Sequence, residues 1–198
     1  MEISEANLII IEGVPGSGKT TLHNKIVETL KNKTIYSFNE GELLFSWKHA
    51  WLSEIDEMRL KLMTNVLDYY EKITKQDKNA VFLLDRFHIS FGLLNKNVKK
   101  TEYDKLLKRL RKYSVQIYVP LIRDGEIEER SSHKERKDPL WDMHLKKRMK
   151  ERGFSNLEGM YSEMQNKVKE LLSQQNLSYS LVKVSIDGTV TNITNKKQ

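Results

Sequence analysis

Apolar and polar residues come in blocks that read by turns as strands and helices. Leu8-Ile9-Ile10-Ile11 is apolar at every position, the pattern of a strand buried on both faces of a parallel sheet. A glycine-rich turn follows over Glu12–Gly18, and Lys19–Lys31 carries Leu22, Ile26, Val27 and Leu30 at helical spacing. Thr34–Phe38 reads as a second strand. From Gly41 to Gln76 a long helical stripe passes through Leu44, Trp47, Trp51, Ile55, Met58, Leu62, Val66, Tyr69 and Ile73. Val81–Leu84 is a third strand, closed by Asp85. A basic helix is expected over Thr101–Tyr113 and a fourth strand over Val115–Val119. Helices near Asp124–Glu135, Leu140–Arg152 and Leu157–Gln175 come next. A fifth strand at Tyr179–Ile186 leads into Asp187-Gly188 and a short final helix. Five strands separated by helices predict an α/β/α sandwich around a five-stranded parallel sheet.

Composition narrows this picture. At 198 residues, 38% of them apolar, the chain suits one domain (1–198) with one sizeable core. Its three prolines, Pro15, Pro120 and Pro139, sit at element boundaries, and no stretch reads as a linker. Cysteine is absent, which excludes disulfide scaffolds, thiolate zinc sites and cysteine nucleophiles. The longest apolar runs, Leu8–Ile11 and Ala80–Leu84, fall far short of the roughly 18 residues that span a bilayer. The opening MEISEAN carries two acids before any apolar stretch, unlike a secretory signal, so a cytoplasmic protein without a membrane partner is expected. The net charge of +7 draws anions without choosing among them. Basic residues are not gathered in a tail, so a nucleic-acid partner is not expected, although a polynucleotide 5′-end stays open as an acceptor.

The chemistry starts at Gly13-Val14-Pro15-Gly16-Ser17-Gly18-Lys19-Thr20, which fits G-x-x-x-x-G-K-[ST] between a buried strand and a helix. Small residues let the backbone wrap phosphate oxygens, and the following helix, with Thr21 in its first turn, aims its positive end at the same anion. Lys19 supplies a point charge between β- and γ-phosphates, and Thr20 a hydroxyl for Mg²⁺. A second acid at the end of a neighbouring buried strand completes such a site, and Val81-Phe82-Leu83-Leu84-Asp85 has that form. Asp85 also suits the cap of a following helix. Arg86 adds a cation beside it.

Ile11-Glu12-Gly13 entering the phosphate loop, with Asp85-Arg86-Phe87 closing the third strand, resembles the thymidylate kinase and deoxynucleoside kinase superfamily. The resemblance implies a P-loop kinase fold with a helical lid, here about residues 124–152, using ATP and Mg²⁺. Two departures bear on the acceptor. Thymidylate kinases carry an acid within the loop where this chain has Pro15, and a basic residue after the second strand where it has Ser37-Phe38-Asn39-Glu40-Gly41-Glu42. Deoxynucleoside kinases instead place a Glu there in E-P-x-x-x-W. Glu42 and Trp47 keep that spacing, with Leu43 in place of the proline, and Glu40 is an equal candidate by position. A carboxylate can take a proton from a hydroxyl but repels an acceptor that is already a phosphate, so charge type favours a hydroxyl acceptor. Both acids would also suit a helix N-terminus.

In the lid, Arg130, Lys134, Arg136 and Lys137 cluster. Arginines there stabilise the transferring phosphoryl group in the resembled kinases, which makes Arg130 and Arg136 the candidates. The acids Glu126, Glu128, Glu129 and Glu135 would neutralise part of this charge. Trp47, Trp51, Phe87 and Phe91 are either a slot for a planar ring or plain core. His88 either faces the acceptor or is structural, and the resemblance puts Asp187-Gly188-Thr189 at the adenine edge. The expected activity is ATP- and Mg-dependent transfer of the γ-phosphoryl group to a nucleoside or nucleotide. An antibiotic- or sugar-hydroxyl kinase and a non-catalytic nucleotide-binding switch are the alternatives. The stripe of Gly41–Gln76 offers a surface for pairing two copies.

Overall fold

The computed structural model describes residues 3–43, 54–94, 100–123, 125–131 and 139–196. Six strands, β1 (Leu8–Ile11), β2 (Thr34–Phe38), β3 (Ala80–Asp85), β4 (Val115–Leu121), β5 (Ser178–Val184) and β6 (Val190–Lys196), form one sheet in the order β2-β3-β1-β4-β5-β6. The first five are parallel, as expected of a chain that alternates strand and helix. The helices described are α1 (Lys19–Thr29), α2 (Glu40–Leu43), α3 (Ile55–Gln76), α4 (His88–Leu94), α5 (Lys100–Leu110), α6 (Ile127–Ser131), α7 (Pro139–Arg152) and α8 (Leu157–Gln175). None of them is long and apolar enough to cross a membrane.

Alternation along the strands sorts the core into two layers. Leu8, Ile10, Phe82, Leu84 and Ile117 face α3, α5 and α8, while Ile9, Ile11, Leu83 and Val182 face α1 through Leu22 and Ile26. A third cluster, with Val14, Ile122, Ile127, Leu145 and Met160, packs α6, α7 and α8 beside the phosphate loop. Phe87 and Phe91 are fully buried in the first layer, so these two aromatics are core rather than a slot. Trp47 and Trp51 lie outside the described residues. The stripe predicted over Gly41–Gln76 falls on α2 and α3, with 44–53 also outside, and is corrected within α3. The buried face there is Leu60, Met63, Val66, Leu67 and Tyr70, while Met58 and Tyr69 are exposed, the helix being turned so that a neighbouring row meets the sheet. Within α5, Arg109 turns back to pair with Asp68 at 2.6 Å and Glu71 at 3.0 Å, tying a basic helix to α3.

One expectation is corrected. The segment after Asp187-Gly188 is not a helix but β6, antiparallel to β5. Val190, Thr191, Ile193 and Thr194 are β-branched, which favours a pleated strand over a helix. The Asp-Gly pair makes the hairpin turn: Gly188 takes φ +82°, Asp187 Oδ1 accepts the Thr189 N–H at 2.9 Å, and Ser185 N–H donates to Thr189 O at 2.9 Å. A hairpin signal flanked by β-branched residues outweighs the habit of ending an α/β chain on a helix, and the sheet gains a sixth strand.

Proline within β4 is explained by where its neighbour ends. Tyr118 O accepts the Glu12 N–H at 2.9 Å, so Tyr118 turns its peptide groups toward β1. Pro120, two residues on, faces the same side, beyond the end of β1, where no ladder acceptor awaits an N–H.

Two backbone and packing features generate tests. Gly18 has φ +93°, and a Cβ there would lie 2.7 Å from both Cβ and Cγ1 of Val184 on β5. Gly18→Ala is therefore expected to destabilise the fold by about 3 kcal/mol, adding backbone strain to overpacking. Gly153→Ala, at φ +73° with nothing within 4 Å of the added carbon, bears the backbone term alone, about 1 kcal/mol. Urea melts of both variants check the difference.

His88 is fully buried, with Nε2 2.7 Å from Gln175 Oε1 on α8. Gln175 Nε2 reaches the Tyr103 hydroxyl at 3.2 Å, and that hydroxyl donates to His88 O at 2.9 Å. The imidazole thus carries its proton on Nε2, and burial lowers its pKa to about 4. Between about pH 6.5 and 4 the unfolded chain takes up a proton that the folded chain refuses. This contribution is fully present above pH 6.5 and is lost as pH falls, by up to about 1.4 kcal/mol per pH unit. The buried carboxyls Glu12 and Asp85, whose pKa values are raised, act in the opposite sense. The expected result is a shallower acid limb of the stability–pH curve in His88→Gln than in the wild-type chain.

Candidate active site

The site is assembled by the pairing of β1 with β3. Ile11 stands opposite Asp85, and the Arg86 N–H extends the ladder to Ile11 O at 2.8 Å. The carboxyl ends of β1, β3 and β4 therefore lie side by side and open onto one crevice: the chain leaves β1 toward β2 on one side, and later crosses from β3 over β1 to β4 on the other. The phosphate loop springs from one side of that crevice and Asp85 closes the other.

Within the loop, Gly13, Gly16 and Gly18 take φ values of +140°, +85° and +93°, and side chains would obstruct two of them. At Gly13 a Cβ would sit 3.1 Å from both Pro120 O and Ser17 Oγ. Val14 is buried in the lid-side cluster, and Pro15 and Gly16 are half-buried above it. Gly18 ends the loop as the N-cap of α1 without a side-chain cap, so the first-turn amides of that helix are presented to an anion. Lys19 folds over the loop and donates to Val14 O at 3.3 Å, while Thr20 and Thr21 are exposed on the first turn. Ser17 Oγ is buried with no hydrogen-bond partner among the described residues.

Asp85 has the same character. Its Oδ1 is buried and unpartnered among the described residues. Burial pushes its pKa up, the Lys19 ammonium pulls it down, and Glu40 pushes it up again. A buried carboxylate oxygen without a donor, next to a phosphate cradle, is the hard anionic ligand that Mg²⁺ takes when phosphates and waters supply the rest. Among the described residues no three His, Asp or Glu side chains converge on a metal-sized site. The Asp85 oxygen and the Thr20 hydroxyl are oxygen donors of the kind Mg²⁺ takes, and the residues present fit it.

Arg86 occupies the left-handed region at φ +63°, a strained conformation for a residue with a side chain, which folds its side chain back over the sheet end. Its Nε lies 2.7 Å from Glu40 Oε2, and its Nη1 donates to Ser90 Oγ at 3.2 Å. The two acids after β2 thereby part company. Asn39 Oδ1 accepts the Glu42 N–H at 3.1 Å and Glu42 Oε2 accepts the Asn39 N–H at 2.7 Å, a reciprocal capping box that starts α2. Glu42 is held by the helix start; Glu40, one-third exposed, points into the crevice beside Arg86 and Asp85.

Arg130 also reaches the site. It pairs with Glu126 on its own turn at 3.0 Å, and it donates to Val184 O at 2.5 Å and Gly16 O at 3.5 Å. Arg136, with Lys134, lies outside the described residues. The Asp187–Thr189 turn borders the loop, since a Cβ at Gly188 would touch Thr21 Cγ2 at 3.8 Å. His88 does not face the crevice; it is held in the helical layer by Gln175.

The main residue without a role in the sequence reading is Glu12. It is fully buried, and its carboxylate accepts the N–H groups of Phe87, Ile89 and Ser90 together with the Ser90 hydroxyl. Burial raises its pKa against these bonds. The signal was present: an acid directly after a fully apolar strand, the same pattern that singled out Asp85.

Comparison with known proteins bears on the fold. The model of the viral superfamily 1 RNA helicase core domain matches residues 9–88, from β1 through the phosphate loop to just past β3. No curated protein matches the chain. Among solved structures, thymidylate kinase from Candida albicans is 17% identical, with 96% of this chain and 97% of that one covered at a TM-score of 0.50. Deoxyadenosine kinase from M. mycoides is 16% identical, with 89% and 90% covered at 0.45. Thymidylate kinase from Ehrlichia chaffeensis is 18% identical, with 70% and 86% covered at 0.41. The fold of this chain is that of the P-loop kinases.

Proposed function

We propose that the chain is an ATP- and Mg-dependent kinase that phosphorylates a hydroxyl of a small acceptor, a nucleoside before a nucleoside monophosphate. The observation that carries the reading is the unpartnered carboxylate oxygen of Asp85, held by strand register beside a phosphate loop whose lysine is within electrostatic reach. A buried polar atom left without a partner is destabilising by about 1–3 kcal/mol, and a ligand that satisfies it removes that penalty.

Loop amides from Gly13 to Thr20 bind the phosphates, and Lys19 leaves Val14 O to take a phosphate oxygen. Thr20 and Asp85 are the residues that would hold Mg²⁺, which when bound neutralises and orients the phosphates. Glu40 accepts the proton of the attacking hydroxyl, and Arg86 beside it fixes the carboxylate and offsets charge. Arg130, with Arg136 from the lid, stabilises charge on the phosphoryl oxygens. The acceptor preference follows from Glu40. Its carboxylate forms an ion pair with the Arg86 guanidinium at 2.7 Å, so Arg86 is already engaged by an acid that an incoming phosphate would have to displace.

A coupled assay of ADP release, run with nucleosides, nucleoside monophosphates and aminoglycoside-like alcohols, tests the proposal. Stimulation by nucleosides is expected, and ADP release indifferent to every acceptor would defeat it. Asp85→Asn should fold normally and lower kcat by about three orders of magnitude; unchanged turnover removes Asp85 from the site. Glu40→Gln should lower kcat at least about 100-fold, as loss of a general base does. Glu42→Ala should instead show a loss of about 1 kcal/mol in a thermal melt, as loss of a cap does. Equal kinetic effects from these two substitutions would contradict the assignment.

A further inference from the structure

Behind the Arg86–Glu40 pair lies a second, buried layer. Arg86 Nη1 donates to Ser90 Oγ at 3.2 Å, and that hydroxyl donates in turn to Glu12 Oε2 at 2.5 Å. Both oxygens of Glu12 are occupied: Oε1 takes the N–H groups of Phe87 at 2.8 Å and Ile89 at 3.0 Å, and Oε2 takes the Ser90 N–H at 3.2 Å. Glu12 is fully buried and Ser90 nearly so. A continuous path of charged and hydroxyl groups thus runs from the end of β1 to the exposed carboxylate on α2.

Capping the start of α4 needs the amide bonds alone. The Ser90 hydroxyl contributes nothing to that task, yet it spans the gap between the Glu12 carboxylate and the Arg86 guanidinium. It is also shaped for both ends, donating to an anion and accepting from a cation, the two arrangements that make a hydroxyl's hydrogen bonds strongest. Arg86, with its backbone in the left-handed region, needs its side chain fixed at both ends of the guanidinium if it is to hold Glu40 in one orientation.

We propose that Glu12, acting through the Ser90 hydroxyl, is the positioning residue of Arg86 and so of the Glu40 carboxylate. The catalytic part of this inference rests on Glu40 as the proton acceptor; the mechanical part does not. Ser90→Ala separates the roles, because it removes the hydroxyl and leaves all three amide bonds to Glu12 in place. Glu12→Gln is the second variant. Its NH₂ group would face donors on either oxygen site, so it should release Arg86 and also lower the melting temperature.

The test uses the full chain with ¹⁵N-labelled arginine, the Arg86 Nε–H resonance being assigned by its loss in Arg86→Lys. In Ser90→Ala this proton should exchange with solvent at least about tenfold faster than in the wild-type chain. With a nucleoside acceptor, kcat should fall about 10- to 100-fold, the scale of a misplaced catalytic group, while the Kd for Mg-ATP measured calorimetrically stays unchanged. Unchanged exchange in Ser90→Ala overturns the inference, whatever the kinetics. Faster exchange with unchanged kcat overturns the catalytic part. If the wild-type chain turns over no acceptor at all, the proposed function fails on its own, and the exchange comparison still decides whether Glu12 and Ser90 hold Arg86.

Discussion

The parallel pairing of β1 with β3, in the register that sets Ile11 against Asp85, is the constraint on which the site depends. It delivers two buried acids to the same sheet end, Glu12 one residue past β1 and Asp85 at the tip of β3. Their circumstances are opposite. Glu12 has donors on both oxygens, and Asp85 has a buried oxygen with none. An unmet buried acceptor is far more costly than a met one is helpful, so among the described residues Glu12 is satisfied within the fold and Asp85 is not. A slip of one residue would turn each strand's side chains to the opposite face and separate the acids.

Charge completes that division. Glu12, Glu40 and Asp85 interact with Lys19 and Arg86, three acids against two bases. A polyphosphate placed beside them would meet attraction from Lys19 and repulsion from Asp85, with Arg130 reaching Gly16 O from the lid side. A divalent cation held by Asp85 would turn that repulsion into an attraction. Glu40, one-third exposed, meets the Arg86 guanidinium at 2.7 Å.

Features encoded within a few residues were legible in the sequence. The phosphate loop, the apolar run ending in Asp85 and the alternation of strands with helices all depend on local spacing, and the structure reproduces them. The capping role of Glu42 was legible too in the Asn39-x-x-Glu42 spacing, since a box of this kind occupies its acid. The same holds for β6, whose Asp187-Gly188 turn and β-branched run carry the signal of a hairpin. What no local pattern reveals is contact across long separations. Ser90 meets Glu12 from 78 residues away, and the left-handed backbone of Arg86, which makes the meeting productive, has no glycine to announce it.

Strands β4 and β5 carry none of the candidate side chains, yet they set the shape of the site. Gly13 is pressed against Pro120 at the end of β4, and Gly18 against Val184 at the end of β5. The same Val184 offers its carbonyl to Arg130, whose guanidinium also reaches Gly16 O. One residue on β5 thus packs the start of α1 and anchors an arginine of the lid region. The phosphate loop's conformation and the placement of that arginine are consequently not independent: a shift of β5 that relieved one contact would strain or release the other. Close packing allows little slack for such a shift, so the loop, β5 and Arg130 are held as one unit whose geometry is set before any phosphate enters.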